Sequence, residues 1–225
     1  KVTLTGKTPI YAIQGQGARS PLEGQTVLTG GVVTKVNGNG FFMQDLLGDG
    51  DPTTSDGIFV FTSSAPTVQR GQLIELSGKV TEYNTGAAGN AQTLSRPLTQ
   101  LTGPTGLVVK GSGYEIQPVE LDLLNPPAGG LESLEGMLVT LRGPLTVQQN
   151  AFLGRYGQLT LAAGGRVLTP TNVRPAGPDA RALQEANRAR SIVLDDGLST
   201  QYPSPPPYLG EANTVRAGDS TESVT

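Results

Sequence analysis

The chain has 225 residues, enough for one large domain or two of about 100 to 150 residues each. It contains no His, Cys or Trp, which excludes a Ser-His-Asp triad, a Cys-His pair, a His-ligated zinc site, disulfides and iron–sulfur clusters within these residues. With 16 basic and 19 acidic residues the net charge is -3, which excludes a globally basic DNA-coating protein and leaves room for a local basic groove.

Short β-type runs separated by Gly, Asn, Asp or Pro dominate the first hundred residues. They predict strands at Gln25–Val36, Gly40–Gln44, Gly57–Thr62 and Gln72–Tyr83, with a weaker one at Gln92–Leu101. Five strands in so short a span predict a closed sheet, because closure removes the edges through which strands aggregate. The first run is apolar on both faces and carries Gly30–Gly31 in its middle, as a bulged and sharply coiled barrel strand needs. A Pro- and Gly-rich stretch at 104–131, with a strand near Leu107–Lys110, reads as the connector to a second domain.

The second half restates the first. Leu22-Glu23-Gly24-Gln25-Thr26-Val27 recurs as Leu134-Glu135-Gly136-Met137-Leu138-Val139, and Val68-Gln69-Arg70-Gly71-Gln72 as Val215-Arg216-Ala217-Gly218-Asp219. The two matches stand further apart in the second copy, which predicts an insertion there. Residues 178–190 supply it: Pro and Asp in the first turn, good helix formers throughout, and Arg188 and Arg190 at the end predict a helix. The first copy has only a loop, Ser63–Arg70, at the corresponding place.

A five-stranded barrel with a helix between its third and fourth strands is the oligonucleotide/oligosaccharide-binding (OB) plan. The expected fold is therefore mainly β. It comprises two tandem OB-type five-stranded barrels: a first domain at 1–103, a linker at 104–131, and an incomplete second domain at 132–225 that ends as its fourth strand begins. No apolar run approaches the roughly 18 residues of a membrane span. Lys1 does not begin a signal peptide, so a soluble, mature piece of a longer protein is expected.

Several segments resemble, in order, the OB-fold region of large secreted bacterial nucleases. They are Ile13-Gln14-Gly15-Gln16-Gly17 with Ser20-Pro21, Gly40-Phe41-Phe42-Met43-Gln44-Asp45, and the stretch from Asp49 to Val60. Gly78-Lys79-Val80-Thr81-Glu82-Tyr83, Leu134–Thr140, Gly154-Arg155-Tyr156-Gly157, Pro170-Thr171 and Leu194-Asp195-Asp196-Gly197 continue the resemblance. In that family the region precedes a catalytic domain of the endonuclease/exonuclease/phosphatase type, which works with His, Asp, Glu and Asn around Mg2+ or another divalent cation. The resemblance implies an extracellular, metal-dependent, DNA-degrading parent. With no His here, it carries over the accessory region and stops before the chemistry.

An OB barrel binds ligands across strands 2 and 3, with loops 1–2 and 4–5 as rims. Strand 2 offers Phe41, Phe42 and Gln44; strand 3 offers Phe59 and Phe61 on the face opposite Ile58 and Val60. One of Phe41 and Phe42 must face the core and the other face out. An exposed ring stacks on a nucleobase for roughly 1–3 kcal/mol; an inward ring fills the barrel. Lys35 and Arg96, on the rims, and Lys79 are the candidate phosphate contacts of the first copy, and isolated solubilising charges are the competing reading. Arg70 and, in the second copy, Arg142, Arg155 and Arg166 are further scattered cations.

Asp45, Asp49, Asp51 and Asp56 place four carboxylates in one turn-forming stretch. Hard oxygen ligands at short spacing suit Ca2+. The spacing is not that of an EF-hand loop, and an Asx-turn connection has the same composition. The expected partners are nucleic acid, DNA in the first instance, bound weakly and salt-sensitively, and an adjacent catalytic domain of the same polypeptide. The alternative is a structural or protein-interaction module that binds no nucleic acid.

Overall fold

The computed structural model describes residues 6–198, 200–210 and 214–225. Lys1, noted above for its lack of a signal-peptide character, lies outside them. Two units divide the chain: residues Lys1–Val119 with Pro127–Val139, and residues Glu120–Pro126 with Thr140–Thr225.

The first unit is organised by one long strand that changes partner halfway. A short helix, α1 (Ile10–Gln14), precedes β1 (Thr26–Asn37), and β1 is followed by β2 (Gly40–Gln44), β3 (Gly57–Phe61) and β4 (Leu73–Tyr83). The first half of β1 pairs antiparallel with β4 from Thr26↔Lys79 to Val32↔Leu73, and the second half pairs with β2 from Val32↔Gln44 to Asn37↔Gly40. Gly30 and Gly31 sit just before the handover. A Cβ on Gly31 would lie 2.7 Å from the Gln44 carbonyl oxygen, and one on Gly30 would collide with the Ile74 carbonyl. The glycine pair therefore permits the close approach of three strands, and the bulge itself falls later, between Val33 and Lys35.

After β4 comes a second short helix, α2 (Ala91–Ser95), and then β5 (Leu98–Gly111). This corrects the strand expected at Gln92–Leu101. The Asn90 side chain accepts a hydrogen bond from the Gln92 N–H and caps a helical turn, which Pro97 separates from the strand. β5 then runs through the first part of the expected connector, taking in Leu107–Lys110. It pairs parallel with β3 and antiparallel with β4, closing a barrel of order β1-β2-β3-β5-β4. Inside are Ile10 and Ile13 of α1 with Val27, Val33, Phe41, Met43, Ile58, Val60, Ile74, Leu76, Val80 and Leu101.

The second unit holds β6 (Val119–Leu121), β7 (Val139–Gln149), a helical turn α3 (Leu153–Tyr156), β8 (Gln158–Ala163), α4 (Pro170–Val173), α5 (Pro178–Ala189), β9 (Ser191–Asp195) and β10 (Ser220–Val224). Among the described residues this sheet is open, in the order β10-β7-β8-β9 with β6 also paired to β7. Its buried side chains include Leu141, Leu145, Val147, Leu159 and Leu161. The expected helix is present as α5. It lies between β8 and β9, the third and fourth strands when β6 is counted; counted from β7, where the repeated segment leads in, it stands one strand earlier than expected.

The segments that match in sequence share two local features. Gly24 and Gly136 both adopt a left-handed conformation, at φ 85° and 71°, in the turns that lead into β1 and β7. In the first unit the Gly71 N–H donates to the Val33 carbonyl and the Val33 N–H to the Gln72 carbonyl, each at 2.9 Å. In the second, the Gly218 N–H donates to Val147 and the Val147 N–H to Asp219, each at 2.8 Å. The matched pairs Gly71/Gly218 and Gln72/Asp219 each bond a valine of the neighbouring strand where β4 and β10 begin.

Candidate nucleic-acid interface

Register and pleat decide which phenylalanines face outward. Phe41 and Met43 of β2 and Ile58 and Val60 of β3 are fully buried in the barrel. The alternate residues Phe42, Phe59 and Phe61 therefore share the outer face. Phe41, proposed from sequence as a binding residue, is thus a core residue: with Phe42 outward, the pleat turns it inward.

Two rows of paired residues cross this surface. One runs Thr81–Gln100–Phe59–Phe42–Lys35, the other Lys79–Thr102–Phe61–Gly40–Asn37. The Phe42 and Phe59 rings meet at 4.8 Å between centroids, tilted by 50°. Phe59 leans over Gly40, whose missing Cβ makes the space, and is only 8% exposed. Phe42 and Phe61 are partly exposed, and Lys35 and Lys79 are exposed. Lys35 lies one strand from Phe42, and Lys79 two strands from Phe61, at about 4.8 Å per strand. Two usable rings and two cations therefore lie on this face.

Gln44 is engaged by the chain itself, and Arg96 lies in the loop before β5. Gln44 is 5% exposed, and its Oε1 accepts the Leu138 N–H at 2.9 Å. Arg96 is exposed just after α2; burial raises the pKa of Glu132, and the charge of Arg96 nearby offsets this in part.

Leu138 and Glu132 belong to a segment, Pro127–Val139, that folds back onto the first unit. Its backbone presses on the start of β3: a Cβ on Gly57 would lie 2.5 Å from the Met137 nitrogen, and one on Gly136 would lie 2.9 Å from the Ile58 nitrogen. The Ser55 hydroxyl donates to the Glu135 carbonyl at 2.6 Å, and the Glu135 carboxylate accepts the Thr99 N–H at 2.9 Å. We expect Gly57→Ala to cost roughly 1–3 kcal/mol by overpacking this crossing. Limited proteolysis should then cut between residues 127 and 139 sooner than in the unaltered chain.

Sequence reasoning missed Glu135. Burial pushes its carboxyl up to about 7, offset in part by the Thr99 N–H and reinforced by Glu132 and Glu82 nearby. Its repeat partner Glu23 is instead paired with Arg19 at 3.1 Å and well exposed. Glu82 is tied into the same corner, accepting from the Ser20 N–H at 2.7 Å and from the Thr99 hydroxyl at 3.2 Å.

The four aspartates of the 45–56 loop act mainly on the loop's own donors. Asp45 accepts from the Leu47 N–H; Asp49 accepts from the Asp51 N–H and the Thr54 hydroxyl; Asp51 accepts from the Thr53 N–H and hydroxyl, which hold its carboxyl below the usual range. Asp56 differs: one carboxylate oxygen is buried against Gly48 without a hydrogen-bond partner, and burial, with Asp49 and Asp45 nearby, raises its pKa. Among the described residues no three acidic groups are gathered as a metal cage. Asp45, Asp49 and Asp51 are thus engaged in turn bonding, and Asp56 keeps one unpartnered oxygen.

No described helix is long and apolar enough to cross a membrane. No protein-family model matches the chain, and no curated protein matches it either.

Proposed function

We propose that the first unit is an OB-type barrel that binds single-stranded nucleic acid on the outer face of β2 and β3, as the non-catalytic positioning module of a secreted, metal-dependent nuclease. The closed five-stranded barrel of order β1-β2-β3-β5-β4, with β3 and β5 parallel, supports this reading. The observation that carries the reading is the outward aromatic surface of Phe42 and Phe61 between Lys35 and Lys79. In this reading the second unit is an OB-like partner in tandem, supported by the shared bonds at Gly71 and Gly218. The divalent-metal chemistry, with Mg2+ or a similar ion, belongs to a catalytic domain elsewhere in the parent polypeptide; no His here could serve it.

Fluorescence anisotropy with labelled single- and double-stranded DNA tests this at low and moderate salt. The two lysines on the face should contribute about -1.4 to the slope of log K against log salt, from about -0.7 per phosphate contact on a single strand. Absence of binding by both DNAs at low salt would remove the nucleic-acid role. A second reading, a structural module that packs against a catalytic domain, is favoured by one observation: the chain's own 127–139 segment already takes up Gln44 at the end of this face.

A further inference from the structure

The connection from β7 to β8 gathers exposed aromatic surface of its own. Phe152 and Tyr156 lie one helical turn apart at α3, with ring centroids 6.0 Å apart and tilted by 48°. The Arg155 guanidinium stands over the Tyr156 ring, 4.9 Å from its centroid. The Tyr202 N–H donates to the Arg155 carbonyl at 2.8 Å and brings a third aromatic residue to the loop. Arg155 Nε also donates to Gln201 Oε1 at 3.3 Å.

These rings are not core. Phe152 is 49% exposed and Tyr202 67% exposed, in a chain that has only 5 Phe and 6 Tyr. Tyr202 holds φ 58°, a left-handed backbone that costs a non-glycine residue energy and tends to persist at ligand-binding positions. The charges nearby limit what the loop attracts. Asp195 accepts from Gln158 Nε2 at 2.6 Å and from the Gly197 N–H at 2.7 Å, and Asp196 from the Leu198 N–H at 2.8 Å. With Asp195 and Asp196 near Arg155, attraction for phosphate is small and ring stacking must supply most of the affinity.

We propose that the β7–β8 loop is a stacking site for unpaired nucleobases of a single strand, with Phe152 and Tyr202 offering ring faces and Arg155 taking one phosphate. Stacking on rings and on a guanidinium is tolerant of base identity, because every base has a π-face. The inference shares the ligand class of the proposed function and rests on that reading, but uses none of its residues.

Anisotropy with fluorescein-labelled oligothymidine, on the full chain, tests it. Phe152→Leu combined with Tyr202→Leu keeps apolar bulk and removes the rings; both side chains are exposed, so the melting temperature should hold. Affinity is expected to fall about tenfold with the salt slope unchanged. Arg155→Gln should instead reduce the salt slope by about 0.7. Unchanged affinity in the double variant overturns the proposal, even where Phe61→Ala weakens binding and so supports the barrel face. Loss of binding in the double variant with full affinity in Phe61→Ala supports the loop and removes the barrel face.

Discussion

A Phe41→Ala protein is expected to lose about 3–5 kcal/mol of stability, whereas Phe61→Ala should change it by no more than about 1 kcal/mol. The two residues have the same side chain and belong to neighbouring strands of one barrel. Phe41 is fully buried among Ile10, Ile13 and the other residues that fill the barrel, so truncation removes transfer free energy and leaves a cavity that a closed sheet cannot collapse. Phe61 stands partly exposed on the outer face, opposite Gly40, and its truncation leaves no internal void. Urea denaturation gives the difference directly. On the proposed function, Phe61→Ala should weaken single-strand binding by about five- to tenfold while the protein remains folded. Equal stability losses in the two variants would contradict the assignment of inner and outer faces.

Glu135→Gln is expected to stabilise the first unit above pH 7 by ~2 kcal/mol and to flatten its pH dependence below that. The folded carboxyl titrates at about 7, above its ordinary 4.5, so the folded state holds a proton that the unfolded chain has already released. Stability from this group is therefore full below about 4.5, declines as pH rises towards 7, and is lost above it. Glutamine keeps an acceptor for the Thr99 N–H and removes the charge that burial, Glu132 and Glu82 oppose. Denaturation at pH 5 and pH 8 measures both arms. The substitution should help at pH 8 and do little at pH 5; a destabilised variant at pH 8 would mean that the ionised carboxylate is needed where it sits.

The role of the 127–139 segment follows from the same contacts. It brings a backbone N–H to Gln44, a carboxylate to Thr99 and a glycine crossing to Gly57. Each contact engages the barrel where β2 ends or where β3 and β5 begin, beside the face on which Phe42 and Phe61 lie. Gln44 is for that reason a structural anchor, and the exposed chemistry of the face reduces to two rings and two lysines.

Much of this was legible locally. The β-branched runs and their turn residues located four strands of the first unit, and the composition of residues 178–190 located the helix α5, because helix and strand propensity and the conformational freedom of glycine act over a few neighbouring residues. Alternation also established that Phe59 and Phe61 share a face opposite Ile58 and Val60. The misplaced strand at Gln92 shows the limit: a single capping Asn turned a β-like stretch into a helical turn.

Length, composition and charge determined by themselves that no imidazole or thiolate chemistry resides in these residues, and the absence of His still bounds every reading of function. Tertiary structure alone decided which of Phe41 and Phe42 enters the core, that Gln44 serves Leu138, and that Glu135 titrates near 7 while Glu23 in the matching hexapeptide stays at the surface. The reason is physical. Strand alternation defines two faces without naming the inner one, and burial depends on contacts between residues far apart in the chain, whose pairing no local pattern encodes.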